Sequence, residues 1–480
     1  MENSGRYTAR ATMSTSAELK QQDNFFIHPW DDIVKLGNNK RTLLDRGEGV
    51  YVYDSEGNRL LDAPAGMWCV NIGHGRKEMA QAVYDQITSL DYVSPWYMAS
   101  GPAAEFAAMI GEQSPGDLNN VFFTTCGSTA VDSALRFVQF YNNVRGKPAK
   151  KHIIAHRGGY HGSTYLGASV SGKQLDRKYL DFETRLIHHI DTPHPLRKPE
   201  GMSEAEFLDA CVGNLENMIA EVGADLCAVF VTEPILASGG VIVPPEGYHR
   251  RCLELCRKHD MLYLSDEVVT SFGRLGHCFA SEEVFGILPD IITTAKGLTS
   301  GYVPMGAFLV SDRLVREIKD LGGDSAVFSN GFTYSGHPVA AAAGIKNLEI
   351  MLREDLFANA RDTGEYMQEQ LRTLLEIPIV RDVRGKGLMG CVECELIQGE
   401  NDLATDLEIG KLIDRYCQAN GLIVRPLVNM CVMSPPLTIT REQIDEMVAI
   451  LRAGILAASA AIESAESAPQ DGHRQPSPAA

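Results

Sequence analysis

The sequence predicts an α/β fold: a large domain with a mostly parallel central sheet sandwiched by helices, plus a smaller α+β domain built from both chain ends. Three observations predict it. Between Val121 and Ser311, short β-branched runs alternate with amphipathic stretches of helical period, the pattern of successive βαβ units. Ahead of that region, residues 47–62 (GEGVYVYDSEGNRLLD) alternate apolar and polar around Ser55-Glu56-Gly57-Asn58, a β-hairpin signal. Beyond Ser335-Gly336-His337-Pro338, long helical runs and short strands replace the regular alternation. The expected division is a mobile arm over 1–24 and two parts of the small domain over 25–75 and 336–460. The large domain fills 76–335, and 461–480 is a disordered tail rich in Ser, Pro, Ala and Gln.

In chain order, Gly73-His74-Gly75 leads into the helix RKEMAQAVYDQI, and a second helix, GPAAEFAAMIGEQ, stops before Ser114-Pro115-Gly116-Asp117. Val121–Thr125 reads as a strand, Cys126-Gly127-Ser128-Thr129 as a turn, and AVDSALRFVQFYNNV as a helix. Strands follow at KHIIAH, RLIHHI and LCAVFVTEP, with helices near 203–221 and at HRRCLELCRKHD. Further strands lie just before Asp266, just before Lys296 and at GAFLVS. One long helix is expected from AAAAGIKNLEIMLRE through MQEQLRTLLE, then strands at VRDVRG, GLMGCVECEL and GLIVRP, and a last helix, REQIDEMVAILRAGILAASAAI.

The net charge of -18 argues against a nucleic-acid surface or a polybasic membrane contact. No apolar run reaches the roughly 20 residues of a membrane span, and the N-terminal stretch has no apolar core of a secretory signal, so a cytoplasmic location is expected. The eleven cysteines are scattered singly, which fits reduced residues rather than a disulfide framework. Three groupings invite a metal reading: Cys391 with Cys394, Cys252 and Cys256 with His259, and His188, His189, Asp191 and His194. Each lacks a complementary ligand set, and packing accounts for all three.

The chemistry concentrates between Leu262 and Gly306. One apolar run breaks on Asp266-Glu267, and a second, Ile291–Thr294, breaks on Ala295-Lys296-Gly297. In an α/β chain both charged residues then sit where strands give way to loops, the edge at which open sheets bind ligands. A carboxylate and an amine delivered together suit pyridoxal 5'-phosphate: the lysine forms a Schiff base, and the aspartate keeps the pyridine nitrogen protonated. A helix-capping Asp and a surface Lys are the plainer alternative for either residue alone. The turn at Cys126–Thr129 offers free N–H groups, hydroxyls and a helix dipole to a phosphate, although many such turns are only N-caps. Gly167–Lys173 has the G-x-x-x-x-G-K spacing of a P-loop, but Gln174 stands where Ser or Thr must hold Mg²⁺, so that reading is rejected. Tyr160 either lies flat on a cofactor ring or packs on the sheet. A lone Gly-x-Gly near residue 73 does not support a dinucleotide fold.

In order along residues 25–455, the motifs RGGYHGSTYLGAS, TEPILASGGVIVPP, SDEVVTSFGRLG, PDIITTAKGLTSGYVPMGA, NGFTYSGHP and RPLVNMCVMSPPLTIT resemble those of class III (omega) aminotransferases, within the fold-type I pyridoxal-phosphate enzymes. The GMW, Tyr-His-Gly and Arg-Pro-Leu segments are most similar to the amine–pyruvate subgroup. The resemblance implies that Lys296 is the Schiff-base lysine and proton shuttle, and that Asp266 pairs with the pyridinium nitrogen. It implies that Val268 and Tyr160 flank the ring, that Gly127 and Ser128 bind the phosphate, and that Glu233 lies near the cofactor. Thr333 is implied to reach the phosphate across a dimer interface. The resemblance also implies that Trp68 walls the substrate pocket and that Trp96 reaches it from the partner subunit. Arg425 is implied to pair with the acceptor's carboxylate and to swing away for an apolar amine. The chain departs from the family's common phosphate turn at Cys126 and Thr129, and Val428-Asn429 replace a common Gly-Asp.

The expected activity is a ping-pong transfer of an amino group from an amine or omega-amino acid to an oxo acid, with pyruvate the expected acceptor. The expected assembly is a homodimer with shared active sites, a tetramer being the larger option. A pyridoxal-phosphate aminomutase, decarboxylase or racemase on the same scaffold is the nearest alternative, and a non-catalytic binding member of the fold a more distant one.

Overall fold

The computed structural model describes residues 15–38, 41–396 and 403–466. Its centre is a seven-stranded sheet. From edge to edge the strands are Asn120–Thr124, Gly306–Val310, Ile291–Thr294, Leu262–Asp266, Cys227–Thr232, His152–His156 and Ile187–Ile190. Gly306–Val310 pairs antiparallel with both neighbours, while the other pairings are parallel. A parallel strand buried on both faces needs continuous apolar sequence, and Cys227–Thr232, Leu262–Asp266 and Ile291–Thr294 are buried at every position.

Register decides the site. Asp266 pairs with Thr293, and Thr232 with Ser265, so these parallel strands end together. Their C-terminal ends release Glu233, Glu267 and Lys296 on one edge of the sheet. The strand Asn120–Thr124 opens into the helix Gly127–Val144 on that same edge.

Two four-stranded sheets complete the chain. One orders Leu44–Glu48, Tyr51–Asp54, Arg59–Asp62 and Leu422–Ile423, joining the expected hairpin to the C-terminal half. The other orders Val380–Lys386, Met389–Cys394, Met430–Met433 and Arg425–Leu427.

One expectation on helices is corrected, and two helix bounds are added. The long run after Pro338 is two helices, Pro338–Arg353 and Leu356–Arg372, because Asp355 turns into the left-handed region at φ 49°. Paired Arg76–Glu354 and Arg353–Glu78 side chains hold that corner. Within the expected arm, Ser16–Gln22 is helical, closed by a capping box between Thr15 and Glu18; residues 1–14 lie outside the described residues. The last helix runs Arg441–Glu466, past the expected start of the tail, whose residues 467–480 lie outside the described residues.

Part of that helix, Arg441–Ser464, is long and apolar enough to cross a membrane by length and composition. Its apolar stripe is already used: Ile444, Met447, Leu451 and Ile455 are fully buried, and the helix packs on Leu403–Ala419 and Leu356–Arg372.

Candidate active site

A cavity of about 590 Å³ opens at the C-terminal edge of the large sheet. Lys296, Asp266, Glu233, Tyr160, Gly127, Ser128, Val268, Trp68 and Arg425 all line it. These residues are separated by up to several hundred positions in sequence. The parallel strands end together to deliver Glu233, Asp266 and Lys296, while Trp68 and Arg425 come from the two smaller sheets' segments. Trp96 and Thr333 do not reach this chain's own cavity. Both are exposed, and Trp96 neighbours Gly331, two residues before Thr333.

Asp266 and Glu267, adjacent in sequence, part company in space. The Asp266 carboxylate faces the cavity, accepting from Thr293 Oγ1 at 2.9 Å and the Val268 N–H at 3.2 Å. Its other oxygen lies 2.7 Å from Nδ1 of the buried His161. Burial alone drives the His161 imidazole toward neutrality, but the Asp266 hydrogen bond and the Asp266 and Glu233 charges reverse this and raise its pKa. Glu267 instead turns away and ties down another loop, accepting from Ala280 N, Ser281 N and Ser281 Oγ.

Glu233 is fully occupied by main chain, its oxygens each 2.9 Å from the N–H groups of Tyr160 and Ala237. Its burial raises its carboxyl pKa. It therefore fixes the loop that carries Tyr160.

Lys296 begins a single 3₁₀ turn, Lys296–Leu298, and holds φ at 42°, a left-handed conformation unusual for a residue with a side chain. The turn is held from behind. Asn347 Nδ2, fully buried on the helix Pro338–Arg353, donates to Gly297 O at 2.8 Å and Leu298 O at 3.1 Å. Ser300 Oγ donates to Asn347 Oδ1 at 2.6 Å. On the other side, Arg274 donates to Asn71 Oδ1 at 2.6 Å, and Asn71 donates to Phe272 O at 2.7 Å. Burial depresses the Lys296 amine's pKa, with the Asp266 and Glu233 charges opposing the shift.

At the phosphate turn, a Cβ on Gly127 would stand 2.9 Å from Val268 Cγ1, so a side chain there would press on the neighbouring wall. Gly162, at φ 117°, lets its loop pass close to the turn: a Cβ there would stand 2.7 Å from Ser128 Cα. The two departures noted in sequence are accommodated. The Thr129 hydroxyl accepts from the N–H groups of Thr125 at 3.2 Å and Cys126 at 3.0 Å, closing the turn as a longer acidic side chain could. The first-turn N–H groups of Gly127 and Ser128 have no intrahelical acceptors and can meet an anion.

These residues fit pyridoxal phosphate. An anion cradle lies at a helix N-terminus, an ionisable carboxylate is fixed at the floor, an amine is held in a strained turn, and Val268 and Tyr160 flank the space between.

Sequence reasoning passed over several residues. His161 stood inside a quoted motif without a role. Trp30 lines the cavity from the N-terminal segment, its indole N–H reaching Asp176 Oδ1 at 3.3 Å and its ring centroid 6.0 Å from that of Tyr160. Lys173, set aside with the P-loop, also lines the cavity, as does Asp176. Among the described residues, no three His, Cys, Asp or Glu side chains group to hold a metal ion.

The class III aminotransferase family profile matches residues 35–455. The chain is 40% identical over 428 residues to the putrescine–pyruvate aminotransferase of Pseudomonas aeruginosa, covering 89% of this chain and 93% of that protein. It is 37% identical over 421 residues to the diaminobutyrate–2-oxoglutarate transaminase of Halomonas elongata, covering 86% and 90%. Among solved structures, an (S)-enantioselective omega-transaminase from Thermomicrobium roseum superposes with a TM-score of 0.87 at 37% identity, covering 94% of this chain and 100% of that one. Sheet order, site composition and these likenesses agree: the chain belongs to the class III aminotransferases and is a pyridoxal-phosphate-dependent transaminase of the fold-type I architecture.

Proposed function

We propose that this transaminase moves an amino group from an amine or omega-amino acid to an oxo acid, with pyruvate as acceptor, in two half-reactions at one site. The observation that carries the reading is the placement of Lys296 and Asp266 at the ends of adjacent parallel strands, with the Arg425 guanidinium on the same cavity wall. The Pseudomonas aeruginosa relative, named for putrescine and pyruvate, supports an amine donor and that acceptor.

Bound pyridoxal phosphate supplies an electron-accepting ring; the chain supplies position and protons. Asp266, fixed by Thr293, Val268 N and His161, presents negative charge at the cavity floor. These contacts fix the carboxylate where it can face the ring nitrogen. The Lys296 amine, with its pKa lowered by burial, is more readily neutral than a surface lysine, as a nucleophile and proton carrier must be. Trp68, Val268 and Tyr160 exclude water from the space between. Arg425, its Cζ 5.9 Å from the Trp68 ring centroid, is suited to a carboxylate.

The same reading makes the enzyme a homodimer. Trp96, Tyr97 and Met98 are 57%, 90% and 64% exposed, and Val327 and Tyr334 are exposed as well. Large apolar side chains gathered on such a surface favour burial against another chain. A second copy there would bring Trp96 and Thr333 to the neighbouring cavity.

The test is a donor panel of diamines, β-alanine and aralkyl amines against pyruvate and 2-oxoglutarate, following cofactor absorbance and the release of alanine or glutamate. Bleaching by an amine and recovery with pyruvate is expected. Turnover without any oxo acid would replace this reading with a mutase or racemase.

A further inference from the structure

Lys173 was left without a role when the P-loop reading was rejected, yet the structure places it on the cavity wall. Its Nζ lies 6.0 Å from the Tyr160 ring centroid, and the short turn Gln174–Arg177 that follows places Asp176 beside it. Arg425 comes to the same cavity from the strand Arg425–Leu427. Among the described residues, neither the Lys173 nor the Arg425 side chain takes part in a hydrogen bond or ion pair; their contacts are with the faces of Tyr160 and Trp68.

Among the described residues, none of the cavity's carboxylates makes an ion pair with either cation. Asp266 is engaged by His161 and Thr293, Glu233 by two main-chain N–H groups, and Asp176 by the Trp30 indole. In the same wall, the buried Trp68 indole Nε1 also lacks an acceptor. Burial lowers the Lys173 pKa; the Asp176 and Glu233 charges oppose the shift, while the Arg425 charge adds to it, so the two cations sense each other. Two unpaired cations in a partly desolvated cavity are costly when nothing lies between them, and an anion relieves both.

We propose that Lys173 is a second carboxylate-binding residue, acting with Arg425 to select oxo acids over uncharged carbonyl compounds in the acceptor half-reaction. The planar Arg425 fork suits two carboxylate oxygens, and the Lys173 ammonium adds a point charge from the opposite element. Asp176 limits the net positive charge, so that an amine donor is still admitted. This inference rests on the transaminase reading and assigns a residue to its acceptor specificity.

The test uses the pyridoxamine-phosphate form of the full-length enzyme, mixed rapidly with pyruvate or with propanal while cofactor absorbance is followed. In Lys173→Met the pyruvate-to-propanal ratio of second-order rate constants is expected to fall at least ten-fold, and Lys173→Arg is expected to restore most of it. Affinity of the apoprotein for pyridoxal phosphate, read by fluorescence titration, is expected to stay within about two-fold. Equal losses with both carbonyl compounds would overturn the proposal in favour of a structural role. A loss confined to cofactor affinity would overturn it in favour of phosphate binding. An unchanged ratio overturns it as well. These failures are separable from that of the transaminase reading, which would show in the wild type as no bleaching by any amine.

Discussion

Asp266 Oδ2 and His161 Nδ1 lie 2.7 Å apart, both side chains buried, although 105 residues separate them in sequence. The imidazole, itself at the cavity lining, buttresses the carboxylate, as neighbouring residues commonly orient a functional group. Removing one partner of a buried charged pair costs about 3–5 kcal/mol. Asp266→Asn keeps the shape and loses the charge. Its kcat/KM is expected to fall about 10²–10⁴-fold, at about 1.4 kcal/mol per decade, with the far-ultraviolet circular dichroism unchanged. A loss under ten-fold would remove Asp266 from the machinery.

The same pair sets a pH dependence. The folded-state pKa of His161 lies above its ordinary 6.5. Its contribution to stability is therefore fully present below about pH 6.5 and is lost as pH rises through the higher folded-state value. The melting-temperature difference between the wild-type apoprotein and His161→Gln is expected to shrink as pH rises from 6 to 9. A constant or growing difference would show that the imidazole is neutral when folded.

Asn347 is a positioning residue for the Lys296 turn. Asn347→Leu leaves Gly297 O and Leu298 O buried without their donor, at about 1–3 kcal/mol per unsatisfied group. A fall in melting temperature and a several-fold weaker cofactor affinity are expected together. Asn347→Asp, which has the shape but cannot donate when ionised, is expected to share the affinity defect. Normal cofactor binding in both variants would make Asn347 a packing residue only.

Gly127→Ala is expected to weaken cofactor binding by about ten-fold without unfolding the protein, since the added methyl meets Val268 Cγ1 at 2.9 Å and only a small rearrangement of the wall admits it. Equilibrium titration of the apoprotein reads this directly. Unchanged affinity would place the phosphate elsewhere.

How much of this was legible in the sequence differs from residue to residue. Asp266 and Lys296 could be read because each ends an apolar run, and parallel strands bring their ends to one edge. Gly127 and Ser128 could be read because a strand turns there into a helix. His161 and Asn347 could not, because their roles depend on hydrogen bonds across 105 and 50 residues that no local pattern records. Trp30 reaches the cavity from a segment without strong periodicity. The helix break at Asp355 was hidden for a related reason: LREDLF has good helical propensity, and tertiary ion pairs select the corner over a continuous helix. Lys173 was misplaced for the opposite reason, since its spacing matched a nucleotide motif whose Mg²⁺-binding hydroxyl is absent at Gln174.

Every assignment above depends on which amine carries the vitamin. Holoenzyme reduced with borohydride, digested and sequenced by mass spectrometry reads that amine out directly. The pyridoxyl group is expected on Lys296 alone, with no label in Lys296→Ala. Label on Lys173 or another lysine, or undiminished label in Lys296→Ala, would contradict the account at its base.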